Sequence, residues 1–141
     1  MRLGGHVAVD RRNRAQSLAS LQRAGEVVKA GTSLVVFAEG TRSRTGRILP
    51  FKKGPFVVAM AAGVPVVPVA ISGAGQVTPA DRIEVHPGTI RVAFGEPCHP
   101  ADHADRTALL QEVRRRVVAL HLTLGGAGGE DVDAAAPGGE D

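Results

Sequence analysis

From Phe56 to Ile71 the chain carries no charged or hydrogen-bonding side chain, yet Gly63, Pro65 and Pro68 interrupt the run. A membrane-crossing helix needs roughly 20 apolar residues, and a helix interior does not tolerate two prolines. The run therefore divides into a short buried helix over Phe56–Ala62, a stop at Gly63, and a buried strand over Val66–Ser72. No transmembrane helix is predicted. With 141 residues in all, there is room for one domain built around this helix and strand.

The flanking sequence supplies matching elements. Gly5–Asp10 reads as a short strand with Val7 and Val9 on one face. Asn13 suits a helix N-cap, and Ala15–Ala30 reads as an amphipathic helix with Leu18, Leu21 and Val28 at helical spacing. Gly31 ends it. Ser33–Phe37 is β-branched and apolar, a strand expected to be buried on both faces. A polar loop over Ala38–Gly54 follows, and Pro55 suits the first turn of the next helix. Ile83–Val85 and Thr89–Phe94 read as an edge hairpin joined by His86-Pro87-Gly88. Asp105 caps a helix over Arg106–Leu124 with a stripe of Leu109, Leu110, Val113, Val117, Leu120 and Leu124, and Gly125 and Gly126 stop it. Strands separated by helices predict an α/β fold with a mixed, mostly parallel sheet flanked by helices.

Charge is distributed unevenly. All 17 basic residues precede Gly125, and five of the 14 acidic ones follow it, so residues 1–124 carry +8 and residues 125–141 carry −5. The latter segment, Gly, Ala and acid, is expected to be a disordered acidic tail. A basic body calls for an anionic partner. Nucleic acid is not expected: there is no Trp or Tyr and there are only four Phe, too few rings for a base-stacking surface. The lone Cys98 excludes an intramolecular disulfide and a four-cysteine zinc site. No metal or organic cofactor is implied. The N-terminal Met-Arg-Leu-Gly-Gly-His lacks the apolar stretch of a signal peptide, and a cytoplasmic location is expected.

The chemistry concentrates after Phe37, in Ala38-Glu39-Gly40-Thr41-Arg42-Ser43-Arg44. In open α/β sheets, ligands bind beyond the carboxyl ends of strands. Arg42, Arg44, Arg47, Lys52 and Lys53 bring five cations into one loop. Gly40 lets the backbone approach a ligand, and Thr41 and Ser43 offer hydroxyls. The set describes an oxyanion site suited to phosphate. The plainer alternative is a solvated basic loop in which Glu39 and Arg42 form a buried ion pair.

The string Glu39-Gly40-Thr41-Arg42-Ser43 resembles the E-G-T-R-S block of the glycerolipid acyltransferases, the superfamily of 1-acylglycerol-3-phosphate acyltransferases, although Ala38 replaces the usual Pro. Leu49-Pro50-Phe51-Lys52-Lys53-Gly54 resembles the family's continuation of that block. Val64-Pro65-Val66-Val67-Pro68-Val69 is similar to its V-P-x-x-P strand, and Gly5-His6-Val7-Ala8-Val9-Asp10-Arg11 to its G-x-x-x-x-D-R block. The resemblance spans Gly5 to Phe94. It implies transfer of an acyl group from acyl-CoA or acyl carrier protein to a lysophospholipid hydroxyl. By the same resemblance Arg11 and Arg42 contact the acceptor phosphate, with Glu39, Gly40, Thr41 and Ser43 shaping that site, and Pro65 and Pro68 position the strand beside the acyl group. The implied fold is the family's α/β domain.

The family's base is a His-x4-Asp pair, in which the imidazole takes the acceptor proton and the Asp orients it. No His here has that spacing: His6 meets Asp10 one residue too soon, and His86, His99, His103 and His121 have no Asp five positions on. No catalytic residue is therefore assigned. The chain reads as residues 1–124 of an acyltransferase domain lacking its N-terminal catalytic block. A degenerate domain is the alternative, in which case the protein is an inactive anion-binding or membrane-surface module. Cys98, beside His99, offers a candidate acyl-accepting thiol, but adjacent residues on extended chain point apart, which disfavours that role. The step Arg114-Arg115-Arg116 is a solvated helix face or a contact for anionic headgroups. It suggests peripheral attachment at the inner face of the cell membrane.

Overall fold

Helix boundaries follow local chemistry closely in the computed structural model, which describes residues 14–80 and 83–130. The expected strand at Gly5–Asp10, the Asn13 cap and Arg11 lie outside these residues. Helix α1 spans Arg14–Lys29, and Gly31, at φ +91°, terminates it. Helix α2 spans Gly54–Ala62 with proline in its first turn, and the Gly63 N–H reaches back to the carbonyls of Ala59 and Met60. Helix α3 is the short Ala74–Val77. Helix α4 spans Arg106–Thr123, and Asp105 Oδ1 accepts from the amides of Thr107 and Ala108, both at 2.8 Å. A single 3-10 turn, Pro100–Asp102, precedes α4.

The described strands are β1, Val69–Ser72, and β2, Arg91–Phe94, paired antiparallel with Val69 opposite Phe94 and Ser72 opposite Arg91. The pairing runs on past the named strands. Gly95 N donates to Pro68 O at 2.8 Å, and Val66 and Cys98 exchange backbone hydrogen bonds of 2.9 and 2.8 Å. One extra residue stands on the second strand between these pairs, a bulge next to Pro97. Parallel pairing among the described residues is the isolated bridge of Ile48 with Gly129.

Three sequence expectations change here. The hairpin is not formed: β2 pairs with β1, and residues 83–90 adopt no strand. His86-Pro87-Gly88 is a turn signal, but the backbone partner of β2 lies further back in the chain. Second, Ser33–Phe37 forms no strand, and Val35 and Phe37 are 85% and 77% exposed. A strand needs a hydrogen-bonded neighbour, and none of the described residues runs beside this segment. Third, Val66–Ser72 is buried on one face only: Ala70 and Ser72 point inward, while Val69 and Ile71 point outward.

The core joins these elements. Ile48, Phe56, Ala59, Ala70, Cys98, Leu109, Val113 and Val117 form one buried cluster. α2 packs on α1 and α4, and α4 also covers β1. The α4 stripe is as expected at Leu109, Val113 and Val117, and His121 joins it as a buried residue. Residues 125–130 do not behave as an unattached tail. Gly125 and Gly126 close the helix by donating to the carbonyls of Leu122 and His121, at 3.0 and 2.8 Å. The chain then turns back, and Ile48 N donates to Gly128 O at 2.8 Å while Glu130 N donates to Ile48 O at 3.0 Å. Residues 131–141 lie outside the described part.

Candidate functional site

The loop between α1 and α2 is closed by its own backbone and one carboxylate. Gly40, at φ +72°, turns the chain and donates to Phe37 O at 3.0 Å. Lys52 N donates to Ala38 O at 2.8 Å, and Leu49 N donates to Glu39 Oε2 at 2.8 Å. Ala38 and Phe51 pack against the core, and the Phe51 ring stacks on Phe56 with centroids 6.2 Å apart. The base of the loop is thus rigid, while its crest, residues 41–47, projects outward.

The loop carries the predicted anion-binding residues that fall among those described. Thr41, Arg42, Arg44, Lys52 and Lys53 are exposed, and Ser43 is half-buried with Oγ 3.2 Å from Thr45 Oγ1. Among the described residues none of these four cations is paired with a carboxylate. Arg47 differs, since its Nη1 donates to Gly129 O at 3.2 Å. The expected alternative, a buried Glu39–Arg42 ion pair, is not found: Glu39 is committed to the Leu49 amide and Arg42 faces solvent. Glu39 therefore shapes the loop from below. The Arg42 guanidinium, exposed and without a carboxylate partner among the described residues, presents a planar fork of the kind that suits an oxyanion.

The other candidate residues divide. Pro65 is exposed, and Pro68 is fully buried with its carbonyl holding Gly95. The strand and the loop meet through the core, where Ile48 and Phe56 share one cluster with Ala70 and Val66. Arg11 and His6 lie outside the described residues. Cys98 is 2% exposed, and burial pushes its thiol up from the ordinary value, with the charge of Arg116 opposing. That is an inert packing cysteine, not a nucleophile. No group of His, Cys, Asp and Glu among the described residues is arranged to hold a metal ion.

The basic step on α4 is not one surface. Arg115 grips Glu112 through Nε and Nη2, both at 2.8 Å, and Arg116 Nε reaches the same carboxylate at 2.6 Å. These bonds hold the Glu112 carboxyl down at about 2. Arg114 points the other way, into the protein. Its Nε donates to Leu49 O at 3.3 Å, and its Nη2 donates to Ile48 O at 3.1 Å and to Glu130 O. A helical signal existed for this: position 114 lies one turn after Leu110 and one turn before Val118, at the edge of the apolar stripe. No helix of the described residues is long and apolar enough to cross a membrane.

The protein is an α/β domain whose loop, fixed at its base, presents exposed Arg42 beside Gly40 and the hydroxyls of Thr41 and Ser43. Its family follows from sequence: the Acyltransferase profile matches residues 1–72, and the chain belongs to this acyltransferase family. It is 37% identical over 126 residues to the chloroplastic 1-acyl-sn-glycerol-3-phosphate acyltransferase BAT2 of Brassica napus, covering 88% of this chain and 35% of that protein. It is 38% identical over 100 residues to the 1-acyl-sn-glycerol-3-phosphate acyltransferase of Pseudomonas aeruginosa, covering 70% of this chain and 37% of that protein. Among solved structures it is similar to the 1-acyl-sn-glycerophosphate (LPA) acyltransferase PlsC of Thermotoga maritima, with TM-score 0.74 and 33% identity over 82% of this chain and 48% of that one. That likeness establishes the α/β acyltransferase fold. The chain spans about a third of the length of the curated relatives it matches.

Proposed function

We propose that this chain forms the acceptor-phosphate part of an enzyme that moves an acyl group from acyl-CoA or acyl carrier protein to the free hydroxyl of 1-acylglycerol-3-phosphate. The observation that carries the reading is the state of Arg42, exposed and without a carboxylate partner among the described residues, on a crest whose base is fixed by Glu39 and Lys52. The names of its relatives support the same acceptor. Arg42 takes the phosphate through its fork, the hydroxyls of Thr41 and Ser43 donate to remaining oxygens, and Gly40 admits the ligand to the backbone. Arg11 joins Arg42 on the phosphate, and Pro65 and Pro68 set the strand along the acyl group.

Fixing the phosphate fixes the distance from the acceptor hydroxyl to the thioester, and such placement supplies much of the catalysis in a reaction of this kind. The hydroxyl oxygen attacks the thioester carbonyl, the thiolate leaves, and the hydroxyl proton passes to a base. That base is not assigned within this chain, because no His-x4-Asp is present. The acceptor is a membrane lipid, which agrees with peripheral attachment at the inner face of the cell membrane.

The test is binding of a short-chain 1-acylglycerol-3-phosphate to the chain and to Arg42→Ala. Loss of one charge-assisted contact is expected to weaken binding about tenfold or more. Equal affinities would remove Arg42 from the phosphate site. Binding to anionic vesicles with no affinity for the soluble lysolipid would favour the inactive membrane-surface module.

A further inference from the structure

We infer that Arg114 and the segment Gly126–Glu130 form a strap that sets the position of the anion-binding loop, with Arg114 as a positioning residue for that site. The inference rests on the reading of the loop given above. It begins with a convergence of carbonyls. Arg114 donates to Ile48 O and Leu49 O from the loop and to Glu130 O from the C-terminal segment. These acceptors come from stretches separated by about half the chain, and their oxygens carry like partial charge. They share one place only because a guanidinium, with five donors in a fixed plane, stands between them. No carboxylate competes for it among the described residues.

The same two stretches are tied directly. Ile48 is embraced on both sides of its backbone, donating to Gly128 O and accepting from Glu130 N. Arg47 Nη1 holds Gly129 O at 3.2 Å. Ile48 is also a core residue, so the strap anchors where the loop enters the packed interior. Next in sequence, Leu49 is held from both sides: its carbonyl accepts from Arg114, and its amide donates to Glu39. Glu39 immediately precedes Gly40, Thr41 and Arg42. Arg114 thus reaches the base of the phosphate crest through a single residue.

The glycines of the strap fit docking and not looseness. A Cβ at Gly126 would overlap the His121 ring, and one at Gly129 would stand 2.8 Å from Val118 Cγ2 and 3.2 Å from Arg114 Nη2. At these two positions the segment lies against α4 so closely that a side chain is excluded. A spacer needs no such contact, whereas a backbone clamped between a helix and a loop does.

The experiment uses the 141-residue chain, its Arg114→Met variant and its Glu130→Pro variant. Glu130→Pro deletes the amide that Ile48 accepts from, while leaving α4 and the core intact. Affinity for sn-glycerol 3-phosphate is read from the amide shifts of Gly40 and Arg42, and amide hydrogen exchange is read at Leu49. Both variants are expected to weaken binding about tenfold, the size of one charge-assisted hydrogen bond. Leu49 exchange should quicken in both, with the thermal midpoint of Glu130→Pro nearly unchanged. Glu130→Pro also removes a carboxylate near Thr45, which by charge alone would strengthen anion binding, so weakening cannot be an electrostatic by-product. Arg114→Lys keeps the charge but cannot span three carbonyls; full restoration by it would overturn the strap in favour of a simple charge effect. Unchanged affinity and unchanged Leu49 exchange in both variants would overturn it outright. If the unmodified chain does not bind glycerol 3-phosphate, the phosphate reading fails; the exchange data then decide the strap alone, and unaltered Leu49 exchange overturns it.

Discussion

Glu39 Oε2 accepts the amide proton of Leu49 at 2.8 Å and closes a loop across ten residues. The carboxylate that opens the E-G-T-R-S string is therefore spent on backbone, not on its neighbouring arginine. Glu39→Ala leaves a part-buried amide unpaired, which costs about 1–3 kcal/mol. Urea unfolding measures this loss. Glu39→Gln keeps an acceptor oxygen and is expected to retain most of the stability. Equal stability of the Ala variant and the original chain would show the bond to be dispensable.

Leu109 is 0% exposed and sits at the centre of the cluster that joins α2, α4 and β1. Leu109→Ala removes apolar contacts and leaves a cavity, at a cost of about 2–5 kcal/mol. Domain stabilities are about 5–15 kcal/mol, so the variant should unfold at markedly lower denaturant. A loss below about 1 kcal/mol, the range of surface changes, would contradict its central position.

Glu112 gives a pH signature. Its folded carboxyl titrates at about 2, held down chiefly by hydrogen bonds from Arg115 and then Arg116, against an ordinary value of 4.5. A depressed acid stabilises the folded state above the unfolded value, and that contribution disappears as pH falls from about 4.5 to about 2. The Glu112→Gln variant should lack this component. Carbon NMR of the side-chain carboxyl checks the assignment directly, and a midpoint at the ordinary value would refute it. The group is partly solvated, so added salt should reduce the effect.

What could be read from sequence was mostly local. Asp105, Gly31 and Gly63 mark helix ends through bonds to residues a few positions away, and all three work as expected. The strand pairing was not local. His86-Pro87-Gly88 argued for a hairpin, whereas the partner of β2 lies beyond α3, in β1. The loop was legible as a cluster of cations, since composition and motif both point there. The partner of Glu39 was not, because a backbone amide ten residues on carries no sequence label. Arg114, Arg115 and Arg116 look alike as a charge run, and only helical phase separates the inward one from the outward two.

The Gly-Gly-Ala-Gly-Gly run after α4 has a practical consequence for anyone shortening this protein. Composition suggests trimming at Gly125, where charge and hydropathy change together. Such a cut would strip Ile48 of both its backbone partners and Arg114 of one acceptor. A boundary for deletion mapping, tagging or fusion therefore lies no earlier than Glu130, several residues past the point where the sequence changes character.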